Sequence, residues 1–395
     1  METVPREEIR QRISRFQTKL AANSLEGAFI LQNADRFYFT GTIQSAVLFV
    51  PSSGDALLMV QKNLKRAQLE SSLDHVLQVK NKNHIPQVLN DFGVNQFATA
   101  GLEMDVLPAR LYLGFQNNYP KCHWVDVSGI IRKLRMIKSA YEIEQIKKAT
   151  AILHIGYTEI KKIIRAGVTE LEIDGHLAMI ARREGHMGMM RMRGWNQEMT
   201  IAHVLAGDSG SAITFLDSPH GGTGNTPAMA QGAGFRRIKS NEPIGIDYGV
   251  AVNGYIADQF RTYVIGELSD TLKKAHACSR EIHLLLAQEA KPGVSCAQLY
   301  DRALQKAIKE GYGDFFMGYG EGQVQFIGHG IGLEIDDYPI ISPRFDGILE
   351  EGMVFALEPM FVLPKQGVVG LEDDYRVTSE GLERLTLTEQ SLIQI

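Results

Sequence analysis

One histidine and four carboxylates in this sequence have the types and surroundings of a metal-binding set. His329 stands between Gly328 and Gly330 in the segment FIGHGIGLEIDDYP, and we expect these glycines to leave room for close approach to the imidazole. The carboxylates stand in strand-like, mostly apolar segments; they are Asp247, Asp258, Glu358 and Glu372. A lone histidine is more often a packing residue, so the interpretation depends on whether the fold brings the five residues together.

The first two carboxylates are predicted to lie on a β-hairpin. The segment EPIGIDYGVAVNGYIADQFRTYVIG, residues 242–266, contains two β-rich runs separated by an Asn-Gly pair, a strong signal for a two-residue turn. With that turn, Asp258 is opposite Gly249, and Asp247 points to the same face of the hairpin. We expect Gly249 to leave open space across from Asp258.

Two unpaired carboxylates on one face of an apolar hairpin would repel each other. Such a pair is expected to be separated, bonded to basic groups or bound to a cation. Arg261 is the basic candidate on the same hairpin, but in this register it points to the opposite face from Asp258. We favour cation binding, with a structural carboxylate pair as the alternative.

The other two carboxylates are predicted to face each other on a second hairpin, residues 352–381. A three-residue connection at 364–366 would bring Glu358 directly opposite Glu372, whereas a one-residue slip would turn one of them away. Glu358 lies in an otherwise apolar run, VFALEPMFV, where a lone buried carboxylate is energetically costly. The alternative is an edge strand with a solvated glutamate.

Together the five residues predict a centre for two divalent cations. Two such ions offset four negative charges and leave room for one bound hydroxide. Carboxylate-rich sets with a single imidazole suit Mn²⁺, Fe²⁺ or Co²⁺ better than thiolate-preferring ions. Two ions roughly 3.5–4 Å apart can generate hydroxide at neutral pH and polarise a carbonyl. We therefore expect a dinuclear metallohydrolase.

Four segments resemble the metal motifs of the pita-bread metallopeptidase family, which includes Xaa-Pro aminopeptidases, Xaa-Pro dipeptidases, methionine aminopeptidases and creatinases. The segments are IDYG…GYIADQFRT, GHGIGLE, ALEP and GLEDDYRVT. The resemblance implies an α+β pita-bread catalytic domain with pseudo-twofold duplicated halves at residues 138–395. It also implies a creatinase-type α/β N-terminal domain at residues 1–137, and a homodimer.

The resemblance also implies a role for each of the five residues. Asp247 would chelate one ion, whereas His329 and Glu358 would hold the other. Asp258 and Glu372 would bind both ions. Glu358 would in addition be the catalytic residue that handles the proton of the attacking water. We expect two ions per chain, Mn²⁺ first, with Co²⁺, Fe²⁺ or Zn²⁺ as alternatives.

Three positions depart from the family pattern. A histidine is expected shortly before the first aspartate strand, near Ala230, and another seven residues after the ligand histidine, where Asp336 stands. An arginine is expected at the position of Gly370. The absent groups ordinarily bind substrate and stabilise the tetrahedral intermediate. Candidate substitutes or substrate-binding residues are His220, Asp336, Arg376, Arg191 and Arg193.

These departures leave three functions open. The first is Xaa-Pro aminopeptidase- or dipeptidase-like cleavage of short peptides by a metal-bound hydroxide. The second is hydrolysis of a small non-peptide C–N compound, as in creatinase-like relatives. The third is a catalytically inactive binding module on the same fold, against which the five intact ligand positions argue.

The elements that must position these residues fall into two parts. The first part alternates strands and helices, beginning with a helix over roughly 6–23, which is typical of an α/β domain. From a capping box at Ser139 the pattern changes to long amphipathic helices. Residues 147–185 align without a gap on 273–311, each as two helices around a Gly-containing turn. This alignment predicts a duplicated unit.

Composition excludes several other classes of protein. The chain has 395 residues, 22% charged and 44% hydrophobic, and a net charge of −5, which argues against a general nucleic-acid binder. The amino terminus lacks the apolar stretch of a signal peptide, and we expect no membrane span. Three cysteines without CxxC spacing fit a reducing compartment. We therefore expect a cytoplasmic protein without nucleic-acid or membrane partners.

Overall fold

The computed structural model describes residues 2–395, which form two compact units. One unit runs to Arg135 and includes Arg193–Asn196, and the other comprises Met136–Met192 and Gln197–Ile395. Because Arg193–Asn196 belongs to the first unit, no single point in the sequence separates the two. The division after residue 137 therefore stays a prediction.

The first unit is built on a six-stranded mixed sheet with strand order β4-β3-β2-β1-β5-β6. The inner strands β1, β2, β3 and β5 are mostly apolar and almost wholly buried, whereas each edge strand, β4 or β6, has one buried residue. Phe29 of β1 packs against Phe49, Phe115 and Trp124. The elements are α1 (Arg6–Ala22), β1 (Gly27–Ile30), α2 (Asn33–Thr40), β2 (Ala46–Pro51), β3 (Leu57–Val60), α3 (Leu64–Glu70), β4 (His75–Gln78), α4 (Ile85–Asp91), β5 (Thr99–Leu102), α5 (Ala109–Asn118), β6 (His123–Asp126) and α6 (Ser128–Met136).

The second unit contains two helix pairs, each followed in the chain by antiparallel strands. No helix in the described chain is long and apolar enough to cross a bilayer. The elements are α7 (Ala140–Glu159), α8 (Glu170–Glu184), β7 (Ala202–Ala206), β8 (Ile244–Val252), β9 (Tyr255–Val264), α9 (Asp270–Glu289), α10 (Cys296–Lys309), β10 (Gly328–Gly330), β11 (Asp337–Ile340), β12 (Val354–Leu357), β13 (Met360–Leu363), β14 (Gly367–Gly370), β15 (Asp373–Thr378), β16 (Gly381–Arg384) and β17 (Ile393–Gln394).

The helix pairs α7–α8 and α9–α10 agree with the predicted repeat. The second helix of each pair begins after a capping box whose first residue is Thr169 in one copy and Ser295 in the other. These two residues occupy the same position in the alignment of 147–185 with 273–311. The boxes satisfy backbone N–H groups at the helix start and fix where each helix begins.

The strands of the second unit form three sheets around an apolar core. One sheet has the order β17-β9-β8-β7, a second has β11-β10-β12-β15-β16, and the third consists of β13 and β14. Apolar residues of α9, α10, β12, β13 and β14 contribute to the core cluster. The five predicted ligands all lie on, or directly beside, the strands of these sheets.

Candidate metal centre

The hairpin β8–β9 has the predicted register. Gly249 is opposite Asp258, and Val252 is opposite Tyr255. Asn253 and Gly254, which form the turn, both have positive φ, 49° and 93°. This backbone is that of the two-residue turn favoured by Asn-Gly, and its twist matches that of the strands. Asp247 and Asp258 therefore lie on one face as diagonal neighbours.

The space beside Gly249 is filled, which corrects the prediction that it would be open. A Cβ at this glycine would overlap the thioether sulfur of Met190 and lie 2.8 Å from its Cε. Met190 comes from the methionine-rich segment after α8, where Met187 donates its N–H to Ala251 of β8. This segment therefore covers the end of the hairpin next to Asp258. No local pattern in the sequence indicates this long-range packing.

Glu358 and Glu372 also lie in the predicted register. Met360 pairs with Gly370 on one side of them and Leu357 pairs with Asp373 on the other, so continuing either ladder places the glutamates opposite each other. Between the two ladders their backbones turn to other partners.

These other partners connect three strand segments at one point. Glu358 donates its N–H to Ile327 O at 2.9 Å. Glu372 exchanges N–H···O bonds of 3.2 and 3.4 Å with Phe260 of β9, the strand that also carries Asp258. The break in the second hairpin thus brings its glutamates to the aspartates of the first.

His329 completes the set from strand β10. It is opposite Ala356 of β12, and its Nε2 lies 3.6 Å from Glu358 Oε1 and 3.7 Å from Glu372 Oε1. The flanking glycines have a different role from the predicted one. A Cβ at Gly328 would overlap Ala356 O, and a Cβ at Gly330 would overlap Tyr338 O. The absence of side chains at Gly328 and Gly330 therefore lets the backbones of the neighbouring strands approach closely. It does not open space around the imidazole.

Burial makes the carboxylates hard to ionise together. Burial raises the pKa of Asp247 and of Glu372 well above the ordinary range, and neighbouring carboxylates raise both further. Burial raises the pKa of Glu358 to about 7, although the His329 imidazole opposes the shift. The pKa of Asp258 is raised for the same reason and is likewise opposed by His329. A bound cation would remove this penalty.

Arg261 lies on the face of the hairpin opposite to Asp258, as predicted, and stabilises the site by hydrogen bonds. All five of its N–H donors are used: Nη2 pairs with Asp373 Oδ1 at 2.6 Å, and the others reach backbone carbonyls. One of those carbonyls is that of Glu372, at 2.8 Å. Arg261 thus fixes the backbone of a ligand without neutralising the ligand carboxylates.

Two histidines lie beside Asp247: His220, which was a predicted substrate-binding residue, and His203, which was not among the predicted site residues. His220 Nε2 is 3.8 Å and His203 Nδ1 is 4.0 Å from Asp247 Oδ2. His203 of β7 is directly opposite Asp247 of β8. Burial lowers the pKa of His203 to about 4, and burial together with His203 lowers that of His220 to about 3. The pairing of β7 with β8, which would have revealed His203, has no short-range turn signal.

The donor atoms fit divalent cations. Two groups have ligand atoms within 4.8 Å of one another: Asp258, His329 and Glu372 form one, and His203, His220 and Asp247 form the other. Asp247 Oδ1 is buried and has no hydrogen-bond donor among the residues that the structure describes. Carboxylate oxygens and neutral imidazoles left without donors are the ligands that such cations take.

The remaining sequence candidates lie in different surroundings. Asp336 is half-buried just before β11, and Arg376 pairs across β15–β16 with Glu383 at 3.5 Å. Arg191 O accepts the N–H of Ile335, whereas Arg193, in the first unit, pairs with Asp35 and Asp105. No described contact brings Arg376 to the five ligands, because its guanidinium faces Glu383.

Two positions where the family pattern is absent can now be interpreted. An imidazole does lie beside Asp247, and it comes from His220 instead of the segment near Ala230. At Gly370 a Cβ would lie 2.6 Å from Met360 Sδ and 2.9 Å from Pro359 O. An arginine at that position would therefore need the strand opposite to move.

Comparison with known proteins agrees with this geometry. The model of metallopeptidase family M24 matches residues 144–379, and that of the creatinase/prolidase N-terminal domain matches 12–137. The chain is 28% identical to the Xaa-Pro dipeptidase of Pyrococcus furiosus over 98% of its own length and 100% of that protein's.

Solved structures show the same similarity. An Xaa-Pro dipeptidase from Bacillus anthracis superposes with a TM-score of 0.83 at 25% identity, covering 98% of this chain and 100% of that one. An X-Pro aminopeptidase from Thermotoga maritima gives 0.80 at 26% identity, covering 97% and 99%. The predicted creatinase-type N-terminal fold and pita-bread fold are confirmed. The chain belongs to metallopeptidase family M24 and is a metal-dependent peptidase.

Proposed function

We propose that this peptidase cleaves short peptides at Xaa-Pro bonds, using two divalent ions held by Asp247, Asp258, His329, Glu358 and Glu372. The observation that carries the proposal is the convergence of four carboxylates and one imidazole from two hairpins and β10; Asp258, Glu358 and Glu372 are buried, and Asp247 is half-buried. The full-length similarity to an Xaa-Pro dipeptidase supports the substrate class. The alternatives of a non-peptide amide substrate and of an inactive module are not favoured, because the relatives compared above are named as peptidases.

We propose the following roles for the ions and the residues in the reaction. Two bound ions would polarise the substrate carbonyl and make a water-derived nucleophile available at neutral pH. Glu358 Oε1, 3.6 Å from His329 Nε2, would take the proton of the attacking water and return it to the leaving amine. His220, buried beside Asp247, would hydrogen-bond a substrate oxygen. We propose Mn²⁺ as the native ion, because hard carboxylate oxygens dominate the five ligands.

The substrate class can be tested by comparing matched peptides. Purified protein is stripped with a chelator and reloaded with Mn²⁺, and kcat/KM is measured for Ala-Pro-Ala, Ala-Ala-Ala and Ala-Pro. We expect Ala-Pro-Ala to be cleaved at its Ala-Pro bond at least 10-fold more efficiently than Ala-Ala-Ala. Equal cleavage of the two tripeptides would contradict Xaa-Pro specificity while leaving the peptidase assignment intact.

We also propose that the chain is a cytoplasmic homodimer with domains at 1–137 and 138–395. Phe215 and Phe235 of the second unit are large apolar side chains with 67% and 74% of their surface exposed, as is common at interaction surfaces. The three cysteines are free thiols, which fits a reducing compartment. Light scattering coupled to size exclusion tests the dimer, and a molar mass near 43.9 kDa would contradict it.

A further inference from the structure

The methionine-rich segment, residues 187–192, crosses one end of the candidate metal site. At its start Met187 donates its N–H to Ala251 O at 2.9 Å, which fixes the segment to the end of β8. Toward its other end Arg191 O accepts the N–H of Ile335 at 2.9 Å, in the connection between β10 and β11. The segment therefore extends from the hairpin that carries the two aspartates to the connection that follows the ligand histidine.

Between these two attachments, the Met190 side chain lies on the face of hairpin β8–β9 that carries Asp247 and Asp258. Gly249 is opposite Asp258 in the ladder, so a Cβ at Gly249 would lie on that same face. Met190 occupies the place of this Cβ: its Sδ would overlap the added atom, and its Cε lies 2.8 Å away. Asp258 Oδ1 lies 3.7 Å from the same point, so this oxygen and the Met190 Cε are at most 6.5 Å apart, the sum of the two distances. Met190 is therefore a near neighbour of a predicted ligand of both ions.

Met190 has the properties of an apolar wall beside Asp258. Its side chain is uncharged, and the residue is 7% exposed. Methionine is unbranched and flexible, so it fills irregular space and adapts to apolar groups that pack against it. Gly249 makes room for the thioether, because any larger side chain at 249 would displace it. These two residues together determine how much space remains next to the Asp258 carboxylate.

The first residue of a substrate extends toward this wall. This step rests on the function proposed above, in which Glu358 returns a proton to the leaving amine and the proline nitrogen therefore faces Glu358. The residue on the other side of the scissile carbonyl must then extend away from Glu358. That direction leads to the face of hairpin β8–β9 with Asp247 and Asp258, where Met190 lies.

We propose that Met190 is a specificity-determining residue that limits the space for the side chain of the first substrate residue. A small side chain such as that of alanine fits between the ions and the thioether, whereas the ring of phenylalanine meets the Met190 Cε. One methylene group in an apolar pocket changes kcat/KM by about 10- to 200-fold, so shortening this side chain has a measurable effect. The inference deepens the proposed function by naming its preferred first residue.

The test compares Ala-Pro-Ala with Phe-Pro-Ala on Mn²⁺-loaded wild type, Met190→Ala and Met190→Val. We expect the wild type to prefer Ala-Pro-Ala, and Met190→Ala to raise kcat/KM for Phe-Pro-Ala relative to Ala-Pro-Ala by about 10-fold or more. Met190→Val removes less volume and should raise the ratio by a smaller factor; it also keeps the proposal testable if Met190→Ala does not fold. The matched control is Met179→Ala, a methionine of α8 in the same unit that is 55% exposed, and its ratio should equal that of the wild type.

Three results would overturn this inference. They are an unchanged ratio in Met190→Val, an equal loss of kcat/KM on both peptides, and an effect confined to Ala-Pro-Phe against Ala-Pro-Ala, which would place Met190 beside the leaving group. Phe-Ala-Ala and Ala-Ala-Ala separate this inference from the proposed function. A shifted first-residue ratio on these two peptides, together with no preference for proline, would contradict Xaa-Pro specificity and support the role of Met190.

Discussion

Of all the side chains in the site, Glu358 is the one on which the proposed chemistry depends most directly. It lies in the break between β12 and β13, with its carboxylate 3.6 Å from the imidazole of His329. Glu358→Gln keeps the size of the side chain and one oxygen but cannot accept a proton at neutral pH. We expect kcat to fall by about 10²- to 10⁴-fold with little change in KM, measured on a Xaa-Pro tripeptide.

The matched control for this prediction is Glu383→Gln. Glu383 is a glutamate of the same unit, 42% exposed, whose partner is Arg376. We expect its activity to equal that of the wild type. Comparable losses of kcat in the two variants would show that Glu358 has no special part in the reaction.

A second prediction at the level of residues concerns the effect of Asp336 and Gly370 on the choice of substrate. An ionised aspartate can only accept hydrogen bonds, and it repels a substrate carboxylate unless a cation intervenes. Gly370, where an arginine was expected, has no charged side chain, and Met360 and Pro359 O occupy the space beside it. We therefore expect kcat/KM for Ala-Pro-Ala to exceed that for Ala-Pro, whose carboxylate lies next to the scissile bond. Asp336→Asn should narrow the difference; a dipeptide preference in the wild type would contradict this account.

Contacts fixed by a local turn could be predicted from the sequence more easily than contacts between distant segments. The placement of Asp258 opposite Gly249 followed from the Asn-Gly turn, because a two-residue loop fixes register locally. The Met190 side chain beside Gly249 and the position of His203 next to Asp247 depend on packing between distant segments. No local pattern encodes such contacts, so only the structure shows them.

At the level of elements, Arg261 connects strand β9 to the strand segment that carries Glu372. Its guanidinium is fully buried and all five N–H groups are bonded, one of them to the Asp373 carboxylate. Lysine offers three donors from a single point and cannot reproduce this arrangement. We expect Arg261→Lys to lower stability by about 3–5 kcal/mol, measured by urea unfolding.

An exposed arginine provides the comparison for Arg261. Arg302 pairs with Glu289 at 2.6 Å, but its side chain is 56% exposed. Arg302→Lys should cost less than about 1 kcal/mol, because solvent screens the pair. Equal costs in the two variants would mean that the buried network does not support the fold around the site.

The second hairpin shows how far element prediction could reach. The three-residue connection predicted the register that places Glu358 opposite Glu372, and the flanking ladders have that register. The sequence did not predict that the ladder opens at this pair, with Glu372 bonded to Phe260 of β9. This opening is a tertiary interaction, and it is what joins the carboxylates of the two hairpins.

At the scale of the whole molecule, the raised pKa values of the carboxylates predict that the free energy of unfolding of the metal-free protein depends on pH. The pKa of Glu358 is raised to about 7 by burial, and those of Asp247 and Glu372 are raised well above the ordinary range. Because the folded state binds more protons than the unfolded state between about pH 4 and 7, these groups stabilise the fold at low pH. Their contribution is lost as the pH rises through the folded pKa values.

The measurement for this prediction is Tm at pH 5 and pH 8 with and without Mn²⁺. We expect added Mn²⁺ to raise Tm more at pH 8, because protons compete with the ion for the carboxylates at pH 5. Metal-free Asp247→Asn should be more stable than metal-free wild type at pH 8, since one repelling charge is gone. A lower Tm for that variant would show that the carboxylates are held by other interactions.

The most direct test of the account is the metal content and activity of the wild type and of Asp258→Asn. Asp258 is 3% exposed, and its carboxylate lies in the group formed with His329 and Glu372. We expect two divalent ions per wild-type chain, together with cleavage of a Xaa-Pro tripeptide that a chelator abolishes and Mn²⁺ restores. Asp258→Asn should lose both metal occupancy and activity. Full activity in that variant, or in metal-stripped wild type, would contradict the assignment of this site as a catalytic metal centre.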